Sequence, residues 1–168
     1  MAERSLLWWV VPSVLAGMPI PFIHPERRMN RGGSLRDYDD DLPELYSAGV
    51  RAVVCLLNIP SDASVYESIG FDFLCLPVPD GAAPTFEQVT DFTAFVDKNR
   101  LQSMPVAVHC EAGIGRTGTM LAAYLISKGA SVGAAVAQVR SVENRAIESA
   151  QQMQFLEELA SSMQNPRS

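Results

Sequence analysis

The run His109-Cys110-Glu111-Ala112-Gly113-Ile114-Gly115-Arg116-Thr117-Gly118 joins a short apolar segment, Pro105 to Val108, to a longer one that extends to Ser127. The first segment is brief and valine-rich, as a buried strand is. The second is long enough for several helical turns and stops at Gly129. Gly113 and Gly115 let the connecting backbone curl until successive N–H groups point inward, and the helix dipole adds positive potential there, so the loop suits an anion of phosphate size. Cys110 lies at the base of this ring, where the N–H groups and Arg116 favour a thiolate over a neutral thiol. Arg116 offers a planar fork for two phosphoryl oxygens, which a lysine would not reproduce. Thr117 offers a hydroxyl to hydrogen-bond the sulfur when it becomes the leaving group. The plainer alternative is a buried cysteine followed by a glycine turn. It does not account for strand, cysteine, two glycines, arginine, hydroxyl, glycine and apolar helix arriving in that order.

Working outward, strands are predicted over Leu6–Val11, Val14–Gly17, Arg51–Leu57, Phe71–Val78 and Pro105–His109. Asp39 to Asp41 supply acidic capping, and Pro43 a first-turn proline, for a helix through Ala48 that Gly49 ends. A short helix is predicted over Asp62–Ile69. Thr85 with Gln88 makes a capping box for another, whose Phe86, Val89, Phe92, Phe95 and Val96 fall at helical spacing. Helices from about Arg116 to Ser127, Val132 to Val142 and Ser149 to Met163 complete the chain. Strands separated by helical crossovers imply an α/β fold, with a central, mostly parallel four- to five-stranded sheet flanked by helices on both faces. Sites in such folds gather beyond the carboxyl ends of the strands, where Cys110 stands.

The 168 residues fit one domain, 1–168, able to bury a core without disulfides or metals. A formal charge of −6 argues against a general nucleic-acid binder. Cys55, Cys75 and Cys110 are an odd count with no CxxC pair, so neither a disulfide framework nor a zinc cluster is expected, and a reducing, cytoplasmic setting fits. Ser5 to Ile23 carries no charge and resembles a leader or membrane span. Pro12, Pro19 and Pro21 would break a spanning helix, which makes buried strands the better reading. No metal or organic cofactor is expected, nor a membrane partner, and the chain is read as a monomer.

His109 through Gly118 resembles the signature His-Cys-x-x-Gly-x-x-Arg-Ser/Thr-Gly of the protein tyrosine phosphatase superfamily, with no signature position departing. Trp9-Val10-Val11-Pro12 to Leu15-Ala16-Gly17, and Ala146-Ile147-Glu148-Ser149 to Gln152, resemble the small atypical dual-specificity phosphatases. The resemblance implies a phosphomonoester hydrolase working through a phosphocysteine on Cys110, with Glu111, Ala112, Gly113, Ile114, Gly115 and Arg116 around the phosphate. It implies an aspartate upstream that protonates the leaving oxygen. Asp80, in Val78-Pro79-Asp80-Gly81, is the match; Asp72 and Asp91 are the other candidates, and Pro-Asp-Gly is also an ordinary turn signal. Gln152 or Glu148 would orient water in the second step, or simply cap a helix. Substrates within the superfamily include phosphoproteins, phosphoinositides and RNA 5′-phosphates, and a binding module without turnover is the non-enzymatic alternative. Glu143-Asn144-Arg145 departs from the Arg-Pro-Gly of relatives, and Glu111 lowers the positive potential that polyphosphorylated inositides would need.

His109 and Cys110 are consecutive, so their side chains point to opposite faces of the strand and His109 is expected to buttress the loop rather than act as the base. Arg27, Arg28, Arg31 and Arg36 form one basic cluster, read either as a pocket border or as solvated loop. Cys55 and Cys75 are read as buried hydrophobes, with a protective disulfide to Cys110 as the alternative.

Overall fold

The computed structural model describes residues 5–23 and 41–165. The expected arginine cluster and His24 fall outside them, as do Asp39 and Asp40. Five strands, β1 (Trp8–Val11), β2 (Leu15–Met18), β3 (Ala52–Cys55), β4 (Asp72–Cys75) and β5 (Val106–His109), form one sheet in the order β1-β2-β5-β3-β4. The pairs β2–β5, β5–β3 and β3–β4 are parallel, and β1 runs antiparallel to β2. The sheet is thus the mostly parallel one expected, with one antiparallel edge. The regular strands are shorter than their apolar runs, although backbone pairing carries on past them: the Leu56 N–H donates to the His109 carbonyl at 2.9 Å, the Leu76 N–H to the Cys55 carbonyl at 2.9 Å and the Val78 N–H to the Leu56 carbonyl at 3.0 Å. The charge-free N-terminal stretch is a hairpin whose β2 is buried throughout, which accounts for its hydropathy. No helix among the described residues is long and apolar enough to cross a membrane.

Among the described residues there are six α-helices, in chain order α1 (Leu42–Ser47), α2 (Ala63–Ser68, entered through a 3-10 turn, Pro60–Asp62), α3 (Phe86–Leu101), α4 (Gly115–Ser127), α5 (Val132–Val142) and α6 (Ala150–Gln164). Strand alternation divides the core. Leu15, Val54, Val106 and Val108 face α3 to α6, whereas Ala16, Val53 and Ala107 face Leu45 of α1 and Tyr66 of α2. α4 is buried from Gly115 to Ile126 and packs against α3, α5 and α6, which explains why its sequence is apolar on every side. The capping box of α3 forms as expected: Thr85 Oγ1 accepts the Gln88 N–H at 3.1 Å and Gln88 Oε1 accepts the Thr85 N–H at 3.0 Å. Such caps contribute about 1 kcal/mol each. Asp41 does not behave as expected. Its carboxylate makes no cap bond to α1 but accepts the Phe22 N–H at 2.6 Å, tying the chain leaving β2 to the start of the helix.

The strand order places β5 between β2 and β3. In register, Met18, His109, Cys55 and Cys75 form one row across the carboxyl ends of the four parallel strands. The loop after β5 therefore rises from the middle of the sheet, where α/β folds keep their binding crevices.

Candidate active site

Cys110 is only 2% exposed, yet it lines a cleft of about 800 Å³. Its Sγ accepts the Gly113 N–H at 3.3 Å and the Thr117 hydroxyl at 3.1 Å. Gly113 has φ +74, and a Cβ there would collide with the Met18 carbonyl, so the loop's curl and its seat on β2 both need glycine. The Ile20 N–H donating to the Glu111 carbonyl at 2.9 Å adds a second tie to the same chain segment. At the helix side, a Cβ on Gly118 would lie 2.7 Å from the Ala146 Cβ; the third glycine lets the 146–148 segment close over α4.

Residues 110–116 all border the cleft, and the Glu111 side chain is exposed as expected. The His109 ring is fully buried on the face opposite Cys110, with Nδ1 3.0 Å from the Cys110 carbonyl oxygen. Arg116 is nine-tenths buried. Its Nη1 donates to the Val78 carbonyl at 3.0 Å and its Nη2 stands 3.6 Å from Asp80 Oδ1, whose side chain is 93% exposed. The arginine thus links the Cys110 loop to the loop after β4. In that loop the Ala82 N–H donates to the Pro79 carbonyl at 3.0 Å, which sets Asp80 at a turn tip, and Gly81 follows at φ +73.

Of the other aspartates considered, Asp72 pairs with Lys98 at 2.6 Å at the amino end of β4, and Asp91 is exposed on α3; neither borders the cleft. Glu148 does border it, and its carboxylate lies over Gly115, 2.9 Å from where a Cβ would be. Gln152 is buried and its amide is engaged: Oε1 accepts the Glu148 and Ser149 N–H groups at 2.8 and 3.1 Å, and Nε2 donates to the Ala82 carbonyl at 3.2 Å. The departing segment Glu143-Asn144-Arg145 forms part of the rim, where the Arg145 guanidinium pairs with the Glu143 carboxylate at 3.0 Å.

Cys55 and Cys75 lie on the sheet face opposite Cys110, so a disulfide to the cleft cysteine would have to cross the sheet. The three cysteines are unbridged. Sequence reasoning missed the wall made by Leu6 and Trp8 and the acidic side chains of Asp41 and Glu44. The one available signal was Gly17: the Trp8 indole lies over it in the β1–β2 register and a Cβ would strike the ring.

Comparison with known proteins identifies the family and the fold. The family model "Polymorphic toxin system, DSP-PTPase phosphatase" matches residues 28–130. The chain is 35% identical over 134 residues to the phosphatidylglycerophosphate phosphatase PTPMT2 of Arabidopsis thaliana, covering 76% of this chain and 58% of that protein. It is 29% identical over 125 residues to the dual specificity protein phosphatase CDC14B of Mus musculus, covering 74% of this chain and 25% of that one. The chain thus spans little more than half of the plant protein and a quarter of the mouse protein. Among solved structures, Tk-PTP in its active form superposes with a TM-score of 0.74 at 26% identity, covering 95% of this chain and 99% of that one.

Proposed function

The chain belongs to the DSP-PTPase phosphatase family, and on that premise we propose that it hydrolyses phosphate monoesters on proteins, phosphotyrosine and phosphoserine or phosphothreonine, through a phosphocysteine on Cys110. The observation behind this reading is the pair of donors aimed at Sγ, from the Gly113 amide and the Thr117 hydroxyl, on the floor of a cleft that Arg116 and Asp80 also border.

In the first step the Cys110 thiolate attacks phosphorus, the S–P bond forms and the ester P–O bond breaks. Asp80 gives its proton to the departing oxygen. Arg116 and the loop amides hold the phosphoryl oxygens as charge redistributes. In the second step water attacks phosphorus and loses a proton to the Asp80 carboxylate. The S–P bond breaks and inorganic phosphate leaves, with the Thr117 O–H donating to the returning thiolate. Glu148, at the cleft edge, is placed to orient that water; Gln152 takes that part only by giving up bonds it already makes. His109 steadies the loop through the Cys110 carbonyl.

A lipid phosphomonoester is the second reading, favoured by the likeness to the plant phosphatidylglycerophosphate phosphatase. The exposed Glu111 carboxylate in the phosphate loop weighs against highly phosphorylated headgroups but not against a single phosphate. The proposal extends to a cytoplasmic enzyme, since three unbridged thiols suit a reducing compartment, and to a monomer. The deciding experiment measures phosphate release from phosphotyrosyl and phosphoseryl peptides, phosphatidylglycerophosphate, a phosphoinositide and 5′-phosphorylated RNA, by the wild type and Cys110→Ser. Release from the peptides that vanishes in the variant supports the proposal. Preference for the lipid supports the second reading, and equal rates for both proteins remove the covalent mechanism.

A further inference from the structure

The turn that carries Asp80 is anchored from several directions. The Pro77 carbonyl accepts from Gln88 Nε2 at 2.8 Å and the Val78 carbonyl from Arg116 Nη1 at 3.0 Å. Beyond Asp80, the Gly81 carbonyl accepts from the Ser149 hydroxyl at 2.8 Å and the Ala82 carbonyl from Gln152 Nε2 at 3.2 Å. Ser149 and Gln152 also form the capping box of α6: Ser149 Oγ accepts the Gln152 N–H at 3.1 Å while Gln152 Oε1 accepts the Ser149 N–H. One hydroxyl therefore acts as acceptor toward its helix and as donor toward the turn. The segment presenting it is held against strain. Ile147, two residues earlier, is a β-branched residue at φ +64. The Arg140 fork binds the carbonyls of Ala146 and Ile147, each at 2.9 Å. A left-handed isoleucine persists only where its surroundings over-determine it. Here its effect is to turn Glu148 to the cleft and Ser149 to the Asp80 turn.

We infer that Ser149 is a positioning residue for the acid: its O–H holds the Asp80 turn against the start of α6, so that the carboxyl stands ready over the phosphate loop without a closing movement. This rests on the reading of Asp80 as proton donor to the leaving group. A donor is what the tether needs, whereas the helix needs only an acceptor, and this asymmetry separates the two jobs of Ser149. Threonine keeps both. Aspartate, a good N-cap but acceptor-only when ionised, keeps the cap and loses the tether. Alanine loses both.

The test measures kcat/KM for aryl phosphates of graded leaving-group acidity, which reports the step in which the ester bond breaks. A well-placed acid flattens the dependence on leaving group, and its loss steepens it. Turnover by the wild type and a steep dependence in Asp80→Asn establish the acid reading itself; without them it is that reading which fails, before Ser149 is tested. Given them, Ser149→Ala and Ser149→Asp are expected to lose about tenfold on phenyl phosphate, a fraction of the ~10²–10⁴ that general acids supply. They should lose less than about twofold on the most acidic nitrophenol ester, with Ser149→Thr following the wild type. Ser149→Asp with the wild-type slope, or Ser149→Ala slowing every ester equally, would reduce Ser149 to a helix cap and overturn the inference.

Discussion

Cys55 ends β3 and Cys110 follows the last residue of the adjacent β5, one position on from the register partner of Cys55, and their sulfurs meet opposite chemistry. Cys55, with its β4 neighbour Cys75, points to the α1–α2 side, and both thiols donate to one acceptor, the Leu57 carbonyl, at 3.5 and 3.2 Å. Burial pushes the Cys55 thiol up to about 12 and raises Cys75 as well. The Cys110 sulfur receives donors instead, one from a glycine amide and one from a hydroxyl. Burial alone therefore does not set the two sulfurs apart, since Cys55 and Cys110 are both buried. What differs is whether neighbouring groups give hydrogen bonds to sulfur or take them from it, and a single residue's step along the strand decides that.

The sharpest way to break this contrast is substitution. Cys110→Ser is expected to cut aryl phosphate hydrolysis by at least ~10³-fold, because serine is a far weaker nucleophile without an adjacent base. Cys55→Ser and Cys75→Ser should stay within about threefold in the same assay; a comparable loss in either would mean that the second thiol pair serves the cleft. Alkylation comes next. Iodoacetamide at pH 7 should label Cys110 at least ~100-fold faster than Cys55 or Cys75, as read by peptide mass spectrometry, because Cys110 borders an open cleft whereas burial raises the other two thiols and keeps them protonated. Cys55 becomes reactive only as the pH climbs toward about 12. Since its folded value lies above the ordinary 9.0, its contribution to stability is full below pH 9 and fades as the pH rises through about 12. Cys55→Ala should therefore flatten the alkaline limb of a stability curve measured by denaturant unfolding.

A smaller effect probes the donors themselves. Thr117→Val keeps shape and removes one donor to sulfur; a loss of about tenfold in kcat is expected, with the slower dephosphorylation of the cysteine visible as a burst of released alcohol. The smallest concerns the loop's seat. Gly118→Ala, whose Cβ would meet Ala146 at 2.7 Å, should lower the unfolding free energy by roughly 1–3 kcal/mol while leaving Cys110 alkylation selective.

Much of this was legible without coordinates because it is local. The row from His109 to Gly118 allows few backbone paths, and the capping box at Thr85 declares its helix within three residues. The strand ends were less legible, since buried apolar residues with single inter-strand backbone bonds extend past the regular ladder, as at Leu56 and Leu76. Asp41 shows the limit of local reading. An acidic residue before a helix is a plausible cap, but Phe22, nineteen residues upstream, offers its N–H from another segment and takes the carboxylate.

The amino-acid sequence alone determined the course of the loop from His109 to Gly118, the strand and helix that bracket it, and the α/β class, because steric limits on glycine, helix capping and hydrophobic period act between residues close in the chain. Only the tertiary structure decided what surrounds Asp80 and which way each cysteine is solvated. The hydroxyl on the Asp80 turn comes from a residue 68 positions beyond its partner carbonyl, and the arginine on Val78 from 38 beyond. Contacts at such separations exist only once the sheet and its helices have packed.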